Sequence, residues 1–261
     1  MASQYLMGIG AGSDPRHSGE MHILQYLESH SKPPFCVFDV GANMGEYMKL
    51  ALKVLPADQL GIHCFEPAFH TFSLLEDNLS HKFADIVALN NYALGREPGE
   101  ATLYYDEPGS GMASLTKRNL SHDNIKFDNY EIVKVDTLTH YCRRKNINKI
   151  SLLKIDVEGH EMDVLQGATE ILTQGIIEII TFEFGGCNID TGTSLRDFYY
   201  FFRKYDMTLH RITPSGYLYP IQSYDWIHEQ YRTTNFAAIP NCTRHDQSES
   251  VHRPGFQAAA R

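Results

Sequence analysis

The sequence predicts an α/β fold: a mostly parallel sheet with helices on both faces and an antiparallel edge near the carboxyl end. Three observations carry that prediction. Short apolar runs alternate with segments whose apolar residues recur at helical spacing. The run "PFCVFDV" is continuous rather than alternating, as a strand covered on both faces must be. The last third contains "MTLHRI", "GYLYPI" and "TNFAAI", three short, turn-bounded, β-rich stretches.

Taken in order, "SGEMHILQYLESH" places Met21, Leu24 and Leu27 on one helical face, and "PFCVFDV" is the first strand, bounded by Pro34 and Gly41. A helix follows Gly45 with Tyr47, Leu50, Ala51, Val54 and Leu55 on its apolar face, and Pro56 stops it. "LGIHCFEP" is the next strand, followed by a helix carrying Phe72, Leu75 and Leu79; "ADIVALNNYALG" is the third strand and its exit loop. "EATLYYDE" and "NYEIVKV" read as added strands around a flexible "EPGSGMAS" loop, and Asp136 as the N-cap of a helix beginning near Thr137. "ISLLKIDVEG" is a further buried strand, and Met162, Leu165, Ala168 and Leu172 mark one helix that Gly175 ends. "IIEIITFEFGG" follows as a strand, and Ser194 with Asp197 opens "LRDFYYFFRKY" as a capping-box helix. The domain layout expected is a leader and helix over 1–34, one catalytic domain over 35–240 and a polar tail over 241–261, with "GIGAGS" a flexible part of the leader because no strand precedes it.

Composition narrows the function. A formal charge of −9 argues against a nucleic-acid or anionic-membrane surface. Five cysteines without a CxxC pair fit neither a disulfide framework nor a zinc cluster, and predict a reducing, cytoplasmic setting. No signal peptide is visible, and "GIIEIITFEF" is too short and too acidic to span a bilayer.

Ligands of open parallel sheets bind beyond the carboxyl ends of the strands. The loop "FDVGANMGEY" is therefore the first place to look, since Gly41 and Gly45 permit close backbone approach and a new helix presents free N–H groups. A pyrophosphate-binding G-x-G-x-x-G is absent, and Asp39 at the strand end suits a cationic or amine-bearing ligand, such as S-adenosylmethionine. Glu66, at the next strand tip, is placed to accept ribose hydroxyls. Tyr47 is a candidate to stack on such a cofactor, although its helical spacing favours core packing. A second constellation, "LLKIDVEGHEMDVLQGA", gathers Asp156, Glu158, His160 and Glu161 at a strand-to-helix turn. Helix capping accounts for one or two of these acids. It does not account for Asp156, at the end of an apolar strand, where a carboxylate needs a partner.

With "FEP" and "NNYALG" between them, these motifs resemble the FkbM-type S-adenosylmethionine-dependent methyltransferases over roughly residues 35–240, most particularly in KIDVEGxExxVLxG. The resemblance implies a Rossmann-like class I methyltransferase fold, usually seven strands with the last antiparallel, and methylation of hydroxyl oxygens on sugars or natural products. Carried over by position, Asp39, Gly41, Ala42, Asn43 and Gly45 would hold the methionine part of the cofactor, Glu66 its ribose, and Asn91 or Tyr92 would lie near the adenine. Glu158 or His160 is the candidate base for the acceptor hydroxyl, with Asp156 placing the cofactor or the base. His160 alone is more simply read as a solvated helix start. In an alternative, Asp156 and Glu183, at neighbouring strand ends, bind a magnesium ion that lowers the hydroxyl's pKa. The acceptor expected is a small hydroxyl compound. "DFYYFFRKY" and "GYLYP" are candidate pocket walls, and Tyr217 and Tyr219 either stack on a sugar or fill a sheet edge. Rival readings are a nicotinamide-dependent oxidoreductase, which leaves residues 154–168 unexplained, and a protein of this fold that binds without reacting.

Overall fold

The computed structural model describes residues 2–12 and 18–241, so the expected polar tail lies almost wholly outside the described residues. The strands are β1 (Phe35–Val40), β2 (Leu60–Phe65), β3 (Val87–Asn90), β4 (Ala93–Leu94), β5 (Gly99–Tyr105), β6 (Asn129–Asp136), β7 (Leu152–Ile155), β8 (Ile180–Phe184), β9 (Met207–Ile212), β10 (Leu218–Ile221) and β11 (Thr234–Pro240). The helices are α1 (Ala2–Leu6), α2 (Glu20–His30), α3 (Glu46–Val54), α4 (Phe69–Asn78), α5 (Leu138–Lys145), α6 (Glu161–Gly167), α7 (Thr169–Thr173), α8 (Cys187–Thr191) and α9 (Leu195–Lys204).

Eight strands form the main sheet in the order β10-β9-β11-β8-β7-β1-β2-β3. Strands β8, β7, β1, β2 and β3 are parallel, while β11 runs antiparallel between β8 and β9. The sheet thus has the mostly parallel layout and antiparallel closing strand implied by the sequence, plus one strand more than seven: β10, a hairpin partner of β9.

The period of two along each strand divides the core between the faces. From β1, Phe38 and Val40 face a core completed by Tyr141 of α5, Leu165 of α6, Ile171 of α7 and Phe198 and Phe202 of α9. Its alternate residues, Phe35 and Val37, face a core completed by Ile23, Leu24 and Leu27 of α2, Tyr47 and Met48 of α3 and Leu75 of α4. Strands buried on both sides explain the unalternating apolar runs. Strands β4, β6 and β5 make a separate three-stranded sheet, the added pair being "EATLYYDE" and "NYEIVKV".

Several local expectations need correction. The residue that caps α5 is Thr137, whose side chain accepts from the His140 N–H; Asp136 instead accepts from the Thr137 N–H and from His140 and Arg144. Met162 to Leu172 form two short helices, with Ala168 at φ −100° and ψ 3° between them. Gly167 there packs so close to the Gly95 carbonyl that a Cβ would lie 2.1 Å from its oxygen. The "GIGAGS" stretch is packed rather than free over its described part: Ile9 and Ala11 are buried, and the Gly12 N–H donates to the Thr233 carbonyl. The capping box of Ser194 and Asp197 is present. None of the described helices is long and apolar enough to cross a membrane, and Cys36, Cys64, Cys142 and Cys187 are free thiols.

Candidate functional site

Two hollows open beyond the carboxyl ends of β1, β2, β7 and β8. A cavity of about 680 Å³ has apolar walls from Phe65, Leu94, Leu103 and Leu115, with Glu66 and Tyr92 as polar groups. A larger cleft of about 1820 Å³ is lined by Tyr47, Lys154, Glu183 and Arg118, and by Gly10 and Gly12 of the amino-terminal stretch. The two share Gly41, Asn43, Gly111, Asp156 and Glu158. A molecule filling the cavity therefore meets one entering the cleft at the turn after β7.

The loop after β1 is shaped by close approach. Gly41, at φ +78°, passes so near the Asp156 carbonyl that a Cβ would lie 1.7 Å from its oxygen. The Gly41 and Ala42 N–H groups both donate to the Phe65 carbonyl at 2.9 Å, so they serve the fold rather than a ligand. Asn43, at φ 48°, donates its N–H to Glu66 Oε2 at 3.0 Å, and the Ala68 N–H donates to Glu66 Oε1 at 2.9 Å. These two bonds fix the Glu66 carboxylate on the cavity wall. Burial pushes its pKa up to about 7, against the lowering effect of the Ala68 and Asn43 N–H groups.

Of the other residues expected around a cofactor, Tyr92 lines the cavity. Asn91 does not: its exposed side chain donates to the Glu66 and Pro67 carbonyls and so ties down that turn. Asp39 is also not a lining residue. It is wholly buried, with the Lys154 ammonium 3.3 Å from its Oδ1, and burial raises its pKa despite that cation. The carboxylate expected to meet a cationic ligand is thus screened from the cleft by Lys154, which sequence reasoning passed over. The signal was present, a lysine in the middle of the apolar run "ISLLKIDV". Burial alone would lower the Lys154 pKa, but Asp39, Asp156 and Glu20 outweigh it and hold the ammonium charged.

The turn after β7 sorts the acidic cluster into distinct roles. Glu161 is fully buried and accepts from the Val157 and Gly159 N–H groups and from Asn188 Nδ2. It holds the turn, with Glu158 at φ 52°. His160 has both ring nitrogens engaged, Nε2 with Thr116 Oγ1 at 2.9 Å and Nδ1 with Asp163 Oδ2 at 2.8 Å. It links the β5–β6 loop to α6 rather than standing free as a base. Glu158 faces both hollows, with Arg118 Nη1 2.7 Å from its Oε2. Burial, and next Asp156, push its pKa up to about 8 despite Arg118. Arg118 also pairs with Asp190 at 3.1 Å, a three-segment clamp that spacing along the chain does not reveal.

Asp156 and Glu183 do come together, and Glu158 joins them: one oxygen from each lies within 4.8 Å of the others. Oxygen donors of this kind suit a hard divalent cation. Asp156 and Glu158, however, already face cations, at 3.4 Å from Lys154 and 2.7 Å from Arg118.

Comparison with known proteins finds methyltransferases. The methyltransferase FkbM domain matches residues 39–211. A protein named methyltransferase 1 from Beauveria bassiana is 32% identical over 145 residues, covering 50% of this chain and 57% of that protein. A hexuronic acid methyltransferase of Haloferax volcanii is 24% identical over 154 residues, covering 59% and 58%. A 2-O-methyltransferase of Sinorhizobium fredii is 28% identical over 171 residues, covering 61% and 68%. The matched part thus spans under three fifths of the first two relatives.

Proposed function

Because the chain belongs to the methyltransferase FkbM family, we propose that it transfers the methyl group of S-adenosylmethionine to a hydroxyl of a small, sugar-like acceptor. One observation carries the reading: a cavity with a fixed carboxylate and a wider cleft meet at Asp156 and Glu158. The adenosine would fill the cavity, between its apolar walls and Tyr92, with its ribose hydroxyls donating to Glu66. Gly41 and Asn43 would pass the sulfonium to the junction, where the acceptor enters from the cleft. The catalytic domain proposed runs over 35–240.

Methyl transfer is an in-line displacement, and holding nucleophile, methyl and sulfur in line supplies up to about 7–11 kcal/mol in well-oriented systems. The acceptor oxygen bonds to the methyl carbon as the carbon–sulfur bond breaks, and its proton must leave. Glu158 is the base we favour. It sits at the junction, and a pKa about 8 matches proton removal near neutral pH. Asp156 orders the cofactor side through Lys154, and His160 orients the turn. A magnesium ion on Asp156, Glu158 and Glu183 is the second reading, favoured by their mutual approach.

Relatives named for hexuronic acid and for 2-O-methylation make glucuronic acid the first acceptor to try, and Arg232 on the cleft wall offers its carboxylate a cation. The test is incubation with methyl-labelled S-adenosylmethionine and a panel of hexuronates and hexoses, with and without EDTA. Labelled methyl ether is expected, reduced at least a hundredfold in Glu158→Gln. Full activity in chelator removes the metal reading, and NADH binding without S-adenosylmethionine binding removes the whole proposal.

A further inference from the structure

Beside the cleft, the surface carries aromatic rings that the core does not use. Trp226 heads the 3-10 turn Trp226–His228, between β10 and β11, and is 74% exposed. The turn is not loose. Asp225 and His228 close a capping box across it. The Glu229 carboxylate accepts from the Leu195 and Arg196 N–H groups, at the start of α9, and from the Tyr224 hydroxyl at 2.7 Å. The fold therefore holds a large apolar ring toward water on a fixed support, a feature of binding surfaces.

This ring is continuous with the cleft. Tyr231 lines the cleft and is near enough to Glu229 that this charge, after burial, raises its hydroxyl's pKa. From Glu229 the line runs to Tyr224 and on to Trp226, whose ring centroids lie 6.0 Å apart. Tyr199, also 6.0 Å from Tyr224, extends it along α9 to the exposed Tyr200. Trp226 and Tyr231 are five positions apart, so their backbones lie within about 18 Å of each other. A few linked sugar rings span that distance.

Charge narrows the chemistry. The Arg196 guanidinium carbon lies 5.8 Å from the Trp226 ring centroid and pairs with no carboxylate among the described residues. Arg232 supplies a second cation on the cleft wall. In a chain of net charge −9, arginines set along one line favour an anionic ligand. Sugar rings present C–H faces that pack on aromatic rings, and a uronate adds a carboxylate that an arginine can clasp with two bonds. A bilayer fits worse, because inserting Trp226 would also bury the exposed Asp225 carboxylate beside it.

We propose that the acceptor is a chain of uronic acid units, with one unit in the cleft beside Arg232 and another stacked on Trp226, its carboxylate against Arg196. The inference rests on the acceptor half of the reading above and extends it beyond the cleft.

Trp226 is the sole tryptophan of the chain, so its fluorescence reports on this surface alone. Tetramers of galacturonate and of mannuronate should shift its emission. By calorimetry, at least one of them should bind about tenfold or more tightly than its monomer. Maltotetraose, equally long and uncharged, should bind more weakly than that tetramer. Trp226→Ala and Arg196→Gln should each remove most of the advantage of chain length, while S-adenosylhomocysteine binding stays within twofold of the parent and shows the variants to be folded. Equal affinity for tetramers and monomers, or an advantage that survives both substitutions, overturns the inference. An emission shift with phosphatidylcholine vesicles and none with the tetramers also overturns it and assigns the ring to a membrane. Either result leaves the donor reading standing. A parent chain that binds a tetramer but no S-adenosylhomocysteine keeps the sugar site and overturns the donor reading instead.

Discussion

At the scale of single residues, the site is a set of carboxylates whose ionisation the fold makes difficult. Glu66 is the clearest, because its two backbone donors are fixed and burial still raises its pKa from 4.5 to about 7. A carboxyl that holds its proton more tightly folded than unfolded adds stability that is complete below about pH 4.5. That stability is lost as pH rises through the folded value near 7. The shift corresponds to roughly 3 kcal/mol. Glu158, pushed up to about 8, acts in the same direction. The ligand-free protein should therefore melt at progressively lower temperature between pH 5 and pH 8. Glu66→Gln should remove part of that slope, and the double variant with Glu158→Gln more of it. Identical pH slopes for the parent and both variants would contradict this account. The strand-end positions of Glu66, Asp156 and Glu158 were legible in the sequence, since each follows an apolar run. Their partners were not, because Asn43 lies 23 residues from Glu66 and Arg118 lies 40 residues from Glu158, and only the folded chain brings them near.

At the scale of elements, the loop joining β5 and β6 is the piece that links the two hollows. Its own backbone forms no regular structure between Tyr105 and Asn129 apart from one 3-10 turn at Ser121–Asp123 and a bridge at Ser114. Three side chains hold it down: Ser114 Oγ donates to the Glu158 carbonyl at 2.8 Å, Thr116 bonds His160, and Arg118 pairs with Glu158 and Asp190. The sequence reads "EPGSGMAS" as flexible because half of it is Gly and Ser, and composition alone does not reveal that its last residue, Ser114, and the next few are anchored. The Arg118 side chain is 10% exposed, and breaking a buried pair of this kind costs about 3–5 kcal/mol. Arg118→Met should release the loop. Trypsin should then cut at Lys117 and Lys126 at least tenfold faster than in the parent, with the helices and main sheet still intact by circular dichroism. Equal cleavage rates would show that Ser114 and Thr116 suffice without the arginine.

At the scale of the whole molecule, the sheet was the most legible feature, because strands buried on both faces leave an unalternating apolar run that few other structures require. The amino-terminal stretch was the least legible. Glycines at 8, 10 and 12 suggest freedom when nothing nearby in sequence packs on them. In the fold, Gly8 lies against the Ile212 carbonyl, Gly12 against Thr233, and Gly10 and Gly12 form one wall of the cleft. The partners are some two hundred residues distant, beyond the reach of any local pattern. On the proposed reading the stretch is a cover over the donor and acceptor, resting on the ends of β9 and β11 rather than adding a strand to the sheet. Deleting residues 2–12 should then separate stability from ligand retention. The buried apolar side chains lost are Ile9 and Ala11, and burying one large aliphatic contributes about 1.5–3 kcal/mol. For a chain of this size that corresponds to a fall of about 3–12 °C in melting temperature. Release of S-adenosylhomocysteine, followed by stopped flow, should quicken at least fivefold because one wall of its exit is gone. If the truncated chain instead melts as the parent does and releases the nucleoside at the same rate, the stretch covers nothing. The cleft is then closed by the β5–β6 loop alone.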